Sequence, residues 1–218
     1  MALGITLALP GAAPASAGSP NDLFTTRGHP EADAGWTTCP EGPSAPGEVC
    51  VDTGIFVALD ITKVNGTKVK EACIVVDQFL YTFDSDNFFV FISETLGELC
   101  GEGVQFRSKG LTLISASGTV PLTVCTPNAD GTDVVCAPDG TSTVDVTFTS
   151  YGPVYHFSNH DKFQLGPATC IFHDRGVGRE ATVDGTITGL VEPFGTFTYG
   201  KISDQSSTAL SHGGECSR

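Results

Sequence analysis

Three of the chain's five histidines fall within one stretch, YHFSNHDKFQLGPATCIFHDRG: His156, His160 and His173, the last followed by Asp174 and Arg175. Imidazole suits two kinds of chemistry, proton transfer near neutral pH and metal ligation. A general acid or base here would be His156, His160 or His173, with Asp174 orienting the ring and Arg175 or Arg179 holding an anion. A metal would draw on His156 and His160, whose spacing of four puts both on one side of a helix. The neighbours argue against that helix, since Gly152 and Pro153 precede the pair and Val154, Tyr155 and Phe157 are poor helix but good strand residues. On a strand the two Cα atoms stand about 13 Å apart at roughly 3.3 Å per residue. One ion with bonds of about 2.0 Å cannot span that gap. They meet only if the segment from Ser158 to Asp161 turns back, which Asn159 and Asp161 would favour and which would put His160 at a loop tip. His173 shares a strand face with Ile171, opposite Cys170 and Phe172. Without convergence, these histidines are ordinary polar residues of strands and turns.

Other chemistry leaves little trace. The chain has no G-x-S-x-G, Gly-Asp-Ser-Gly or HExxH, and no glycine-rich loop leading from a strand into a helix. A glycosidase depends on the spatial separation of two carboxylates, which sequence spacing does not reveal. One Trp and four Tyr offer few platforms for a sugar. An enzyme is therefore not the leading expectation, and no cofactor is expected. Calcium would need clustered oxygens. The segments Asp84 to Asn87 and Asn128 to Asp133 come nearest, but neither completes the D-x-[DN]-x-[DN]-G loop, and Asx-rich turns explain both.

The elements that must position these residues read as strands. Ile55, Val57, Leu59 and Ile61 alternate with Phe56, Ala58, Asp60 and Thr62, while Val144, Val146 and Phe148 alternate with Asp145, Thr147 and Thr149. A period of two marks strands with one buried face. ACIVVDQFLYTF (72–83) and FFVFI (88–92) are apolar on both sides and predict strands covered on each face. Asn65-Gly66 predicts a hairpin and Pro138-Asp139-Gly140 a second turn. Gly178, Gly185 and Gly189 suggest bends or bulges of a curved sheet. With no 3.6-residue period over any dozen residues, the expected fold is all-β. It is a single antiparallel sandwich or barrel of roughly 8–10 short strands, stabilised by disulfides.

Ahead of this domain, assigned to 49–218, lie two segments of different character. Residues 1–17 combine an apolar run, Pro10 and an Ala15-Ser16-Ala17 cleavage signal, and read as a secretory signal peptide, although the first basic residue is Arg27. Residues 18–48 are rich in Pro, Gly and Ala and are expected to form a flexible leader pinned near Trp36 and Cys39.

The eight cysteines all follow the expected cleavage point, and no CxxC is present. An even count in an exported chain implies disulfides rather than zinc. Cys39 with Cys50 and Cys125 with Cys136 each enclose a turn-rich loop, whose closure contributes on the order of 3 kcal/mol. The remaining four allow three pairings, of which Cys73 with Cys100, leaving Cys170 with Cys216, is preferred. A net charge of −14 with no basic stretch disfavours nucleic acid and anionic membrane, and no membrane insertion is expected after signal cleavage.

One resemblance appears in the histidine segment. The pattern H-x(3)-H…G…F-H-x-R-x-x-x-R-x-A-x-V-x-G-T is carried by His156, His160, Gly166, Phe172-His173, Arg175, Arg179, Ala181, Val183 and Gly185-Thr186. It resembles the C-terminal part of small uncharacterised exported β proteins of high-GC bacteria, which implies export and a β fold and nothing about mechanism. The chain is thus expected to be a secreted, disulfide-stabilised β domain with a binding or surface-associated role toward an extracellular ligand or protein of unassigned identity. Two alternatives stand beside it. One is a barrel-type enzyme or metal-binding protein using His156, His160, His173 and Asp174; the other is a secreted inhibitor presenting the 126–135 loop. Mass spectrometry of the unreduced protein should find no free thiol, and eight free thiols would overturn both the disulfide framework and the argument for export.

Overall fold

A computed structural model describes residues 22–64, 67–86, 88–165 and 168–212. The expected signal segment, the Asn65-Gly66 turn and Cys216 lie outside the described residues. The described chain is strand and turn with no helix: β1 (Asp22–Thr37), β2 (Cys50–Val64), β3 (Thr67–Phe83), β4 (Phe89–Cys100), β5 (Gln105–Ser108), β6 (Leu113–Pro127), β7 (Val134–Leu165), β8 (Ala168–Ile187) and β9 (Thr196–His212).

They form one antiparallel sheet in the order β4-β3-β2-β1-β9-β8-β7-β6-β5, and β4 also pairs with β6. That extra ladder, Glu94↔Cys125 through Gly97↔Leu122, returns the sheet on itself as a ring. β5 occupies the other half of the same β6 edge, from Gln105↔Ser117 to Ser108↔Ile114. A ring of about eight strands has a lumen that side chains alone can fill. Here Ala32, Ala34, Ile55, Val57, Ile74, Val76, Ile114, Val144, Val146, Phe148 and Ile202 do so.

The loop between β8 and β9 closes one end. Leu190 and Phe194 pack on the core, with Phe194 against Trp36 at 6.0 Å between ring centroids. Gln78, fully buried, clamps this loop: its Nε2 donates to the Val191 carbonyl at 2.8 Å and to Thr53 Oγ1 at 2.9 Å, and its Oε1 accepts the Val191 N–H at 2.8 Å. Leu99, Val104, Phe106 and Leu111 cover the core at the opposite end.

Four sequence expectations change. Part of the expected flexible leader is β1, which sits between β2 and β9. Its Ala32 and Ala34 are poor strand formers, but only small side chains fit the lumen facing Ile55, Val57 and Ile202, so packing overrides propensity. β3 and β4 are covered on one face only, because a single-layer ring has one interior; Phe88 and Phe89 are 68% and 51% exposed. Pro138-Asp139-Gly140 is no turn but a bulge within β7, where Asp139 and Gly140 face the single residue Leu122, and Gly140 takes a positive φ of 76°. A second irregularity lies between Tyr151 and Tyr155. Bulges let a strand bend instead of ending, and β7 consequently runs for 32 residues where shorter strands were expected.

The described residues contain the disulfides Cys39–Cys50, Cys73–Cys100 and Cys125–Cys136. The second and third join residues that are direct cross-strand partners. The side chain of Cys170 and the whole of Cys216 fall outside the described residues. Replacing Gln78 by Ala strands the Val191 N–H and carbonyl, and urea unfolding of the oxidised protein should show a loss of about 2–4 kcal/mol.

Candidate functional site

The histidine segment does not turn back at Ser158 to Asp161. β7 continues through it to Leu165, paired residue for residue with β8. Strand alternation then decides what meets. His156 and His160 share a face but are separated along β7, whereas His160 is the direct partner of His173, their ring centroids 5.8 Å apart. Asp174 and Asp161 fall on the opposite face, so Asp174 does not orient His173. Arg175 lies on the histidine face, its Nε 3.4 Å from Ser206 Oγ. His156 and Arg175 border a shallow cleft of about 380 Å³ with Val177, Asp204 and Ser206. Arg179 is used elsewhere, its Nη2 donating to the Gly152 carbonyl at 2.7 Å across the second β7 irregularity. The expected cluster of His156, His160, His173 and Asp174 is thus divided into one histidine pair and two residues apart from it.

The other candidate segments are occupied by their own turns. Asn128 Oδ1 accepts the N–H groups of Thr132 and Asp133, and Asp130 Oδ1 accepts the Thr132 N–H and hydroxyl. These bonds hold the Asp130 carboxyl below its usual range. Asp84 Oδ1 accepts the N–H groups of Asp86 and Phe88. The 128–133 turn is exposed as well as internally bonded. Cys73, Glu98 and Cys100 lie together, but the two sulfurs are joined to each other and offer no thiolate.

A more developed site lies on the outer wall of the ring, where sequence spacing gave no hint. Tyr199, Gly35, Gly54 and Asp77 are consecutive partners across β9, β1, β2 and β3. Two glycines in register leave a trough of about 410 Å³, bordered also by Thr37, Asp52, Tyr81 and Trp36. A Cβ on Gly35 would run into the Tyr199 ring, and one on Gly54 into the Asp77 carboxylate. A bulge between Gly35 and Trp36 shapes the β9 side, where the Thr198 hydroxyl donates to the Gly35 carbonyl at 2.8 Å.

The trough is crowded with acids. Asp77 can still reach solvent, but burial low in the trough, then the charge of Asp52, raises its pKa above 3.8. Burial, then Asp77, raises Glu94. Asp33 is raised by burial, against the opposing pull of Lys201 at 3.5 Å. The tyrosine hydroxyls follow: burial and Asp52 push Tyr81 up, and burial, Asp33 and Asp77 push Tyr199 up. No ion pair joins Asp52 or Asp77 to a cation among the described residues.

Beside the trough the outward faces of β3 and β4 carry an aromatic ledge. Tyr81 stacks on Phe89 at 5.5 Å between centroids, and Phe79 on Phe91 at 5.3 Å. Phe83 completes it against Phe89. A further polar knot on the outer wall holds Glu31, which accepts from Ser203 Oγ at 2.7 Å and from Gln205, with His29 lying between Glu31 and Asp60. Glu31 and Ser203 are buried, and the knot ties β1 to β9.

The molecule is therefore an all-β, disulfide-braced ring with an acidic trough and an aromatic ledge on its outside. No protein-family model and no curated protein matches the chain. Among solved structures it is similar to an acetoacetate decarboxylase-like enzyme from Sphingomonas wittichii RW1, with 11% identity over 95% of this chain and 96% of that one and a TM-score of 0.28. A likeness of that size carries no argument about activity.

Because the fold raises the Asp77 pKa above 3.8, the folded chain holds that proton more tightly than the unfolded chain. The associated stability is complete below pH 3.8 and is lost as pH rises through the raised value. Asp77→Asn should accordingly stabilise the protein at neutral pH, with a gain that fades as the pH is lowered toward the ordinary carboxyl range, measured by urea unfolding across pH.

Proposed function

We propose that the chain is an exported binding protein whose outer trough captures an amphiphilic organic cation, an amine carrying an apolar group. The observation that carries this reading is the pair of carboxylates, Asp52 and Asp77, lining a glycine-floored trough, with Glu94 near enough to feel the charge of Asp77. Beyond burial, the charge of Asp52 raises the proton affinity of Asp77 and the charge of Asp77 that of Glu94, and no basic side chain pairs with Asp52 or Asp77 among the described residues. An ammonium group placed there relieves the repulsion that a proton otherwise relieves. Tyr81 and Tyr199 supply ring faces to the same cation, worth about 0.5–2 kcal/mol each by cation–π attraction. Tyr81 belongs to both the trough and the ledge, so an apolar group attached to the amine would lie along Phe79, Phe89 and Phe91.

Export is supported by the N-terminal signal pattern and by three disulfides, which are consistent with an oxidising compartment. The net charge of −14 favours cationic over anionic partners. Trp36 borders the trough and is the chain's only tryptophan, so its fluorescence reports occupancy directly. Titration with phenethylamine should perturb it, while phenylacetate and phenethyl alcohol should act at least about tenfold more weakly, equivalent to some 1.4 kcal/mol. Asp77→Asn should remove most of the amine's advantage, and Phe89→Ser should weaken phenethylamine more than methylamine. Equal binding of amine, alcohol and carboxylate, or preferential binding of a disaccharide, would refute the assignment.

A further inference from the structure

We propose that His160 and His173 form a site for a divalent transition metal of the imidazole-preferring kind, Zn²⁺, Cu²⁺ or Ni²⁺. The two residues are direct partners on antiparallel strands, so their side chains leave the sheet on the same side with Cβ atoms about 5 Å apart. Their ring centroids are 5.8 Å apart and the rings are inclined at 65°. Two imidazoles on one tetrahedral ion, with Zn–N bonds of about 2.0–2.1 Å, hold their centroids roughly 5 Å apart. Small side-chain rotations therefore bring one nitrogen of each ring onto a common ion. Both residues are exposed, leaving the remaining coordination positions to water.

The neighbours on this face decide which ion fits. The adjacent pairs are Ser158 with Arg175 and Lys162 with Ile171, and Thr208 of β9 is the next partner of His173. None of these supplies a carboxylate, and Asp161 and Asp174 stand on the other face. Calcium and magnesium, which require oxygen ligands, are disfavoured, whereas zinc, copper and nickel accept imidazole and water. Arg175 and Lys162 oppose any cation and hold the affinity down. His156 is not a third ligand, being four residues from His160 along the strand, about 13 Å at 3.3 Å per residue.

The test uses the full oxidised chain without an affinity tag, stripped with chelator and desalted, and titrated calorimetrically with ZnCl₂ and CuSO₄. One equivalent should bind. His160→Asn and His173→Asn should each weaken it at least tenfold, while His156→Asn should leave it unchanged and CaCl₂ should give no heat that either variant removes. All these positions are exposed, and circular dichroism of each variant checks that the fold is kept. Absence of binding at millimolar metal, equal loss in His156→Asn, or binding that survives in both variants and disappears in Asp77→Asn would overturn the proposal, the last by placing the ion in the acidic trough.

Discussion

The ladder between β4 and β6 is the constraint on which the rest of the structure depends. Without it the sheet would end at β4 on one side and at β5 and β6 on the other, with unpaired backbone donors and acceptors along both edges. Four residue pairs, Glu94 to Gly97 with Cys125 to Leu122, convert that open sheet into a ring. Two disulfides sit close to the seam, Cys73–Cys100 joining β4 to β3 and Cys125–Cys136 joining β6 to β7. Each closes a loop whose entropy contributes about 3 kcal/mol by the chain-entropy estimate. Both strands of the seam are thus held to their outer neighbours while they pair with each other.

Closure divides the side chains into two populations with different duties. Inward positions must fill a narrow lumen, which is why Ala32, Ala34 and Ala116 alternate around it with Ile55, Ile74 and Phe148. Outward positions have no second layer to meet. Apolar residues placed there remain at the surface, as Phe79, Phe89 and Phe91 do, and acids placed there gather without a basic partner among the described residues, as Asp52 and Asp77 do. The acidic trough and the aromatic ledge follow from one architectural fact. Elsewhere on the outer wall the same freedom is used differently: the rings of Tyr155 and Phe157 lie over Gly178 and Gly176 and cover backbone that glycine leaves bare.

Several elements were legible residue by residue. The period of two at Val144, Val146 and Phe148 corresponds to inward-facing residues of β7, and Ile55 and Val57 likewise to β2, because alternation survives whatever sheet the strand joins. Gly185 takes a positive φ of 132°, with its backbone too close to Asp145 for a Cβ, so that position requires glycine although the β7–β8 register runs through it without a bulge. The spacing of His156 and His160 excluded a shared ion on an extended strand, and the strand is extended. β1 was not legible, since neither Ala32 nor Pro30 nor Gly28 carries a strand signal of its own. The trough was equally hidden: Gly35, Gly54, Asp77 and Tyr199 come from four strands, and nothing in their sequence separations relates them.

The amino-acid sequence by itself determined the class of the protein, all-β with paired cysteines and strong net negative charge, because strand period, cysteine parity and charge are local or additive properties of the chain. Tertiary structure alone decided that the sheet closes and that His160 meets His173 rather than His156. It also decided that acids far apart in the chain share a trough. The physical reason is register: in a sheet, neighbours across strands are set by how far each hairpin runs and where each bulge falls, and a shift of one residue sends every side chain to the other face.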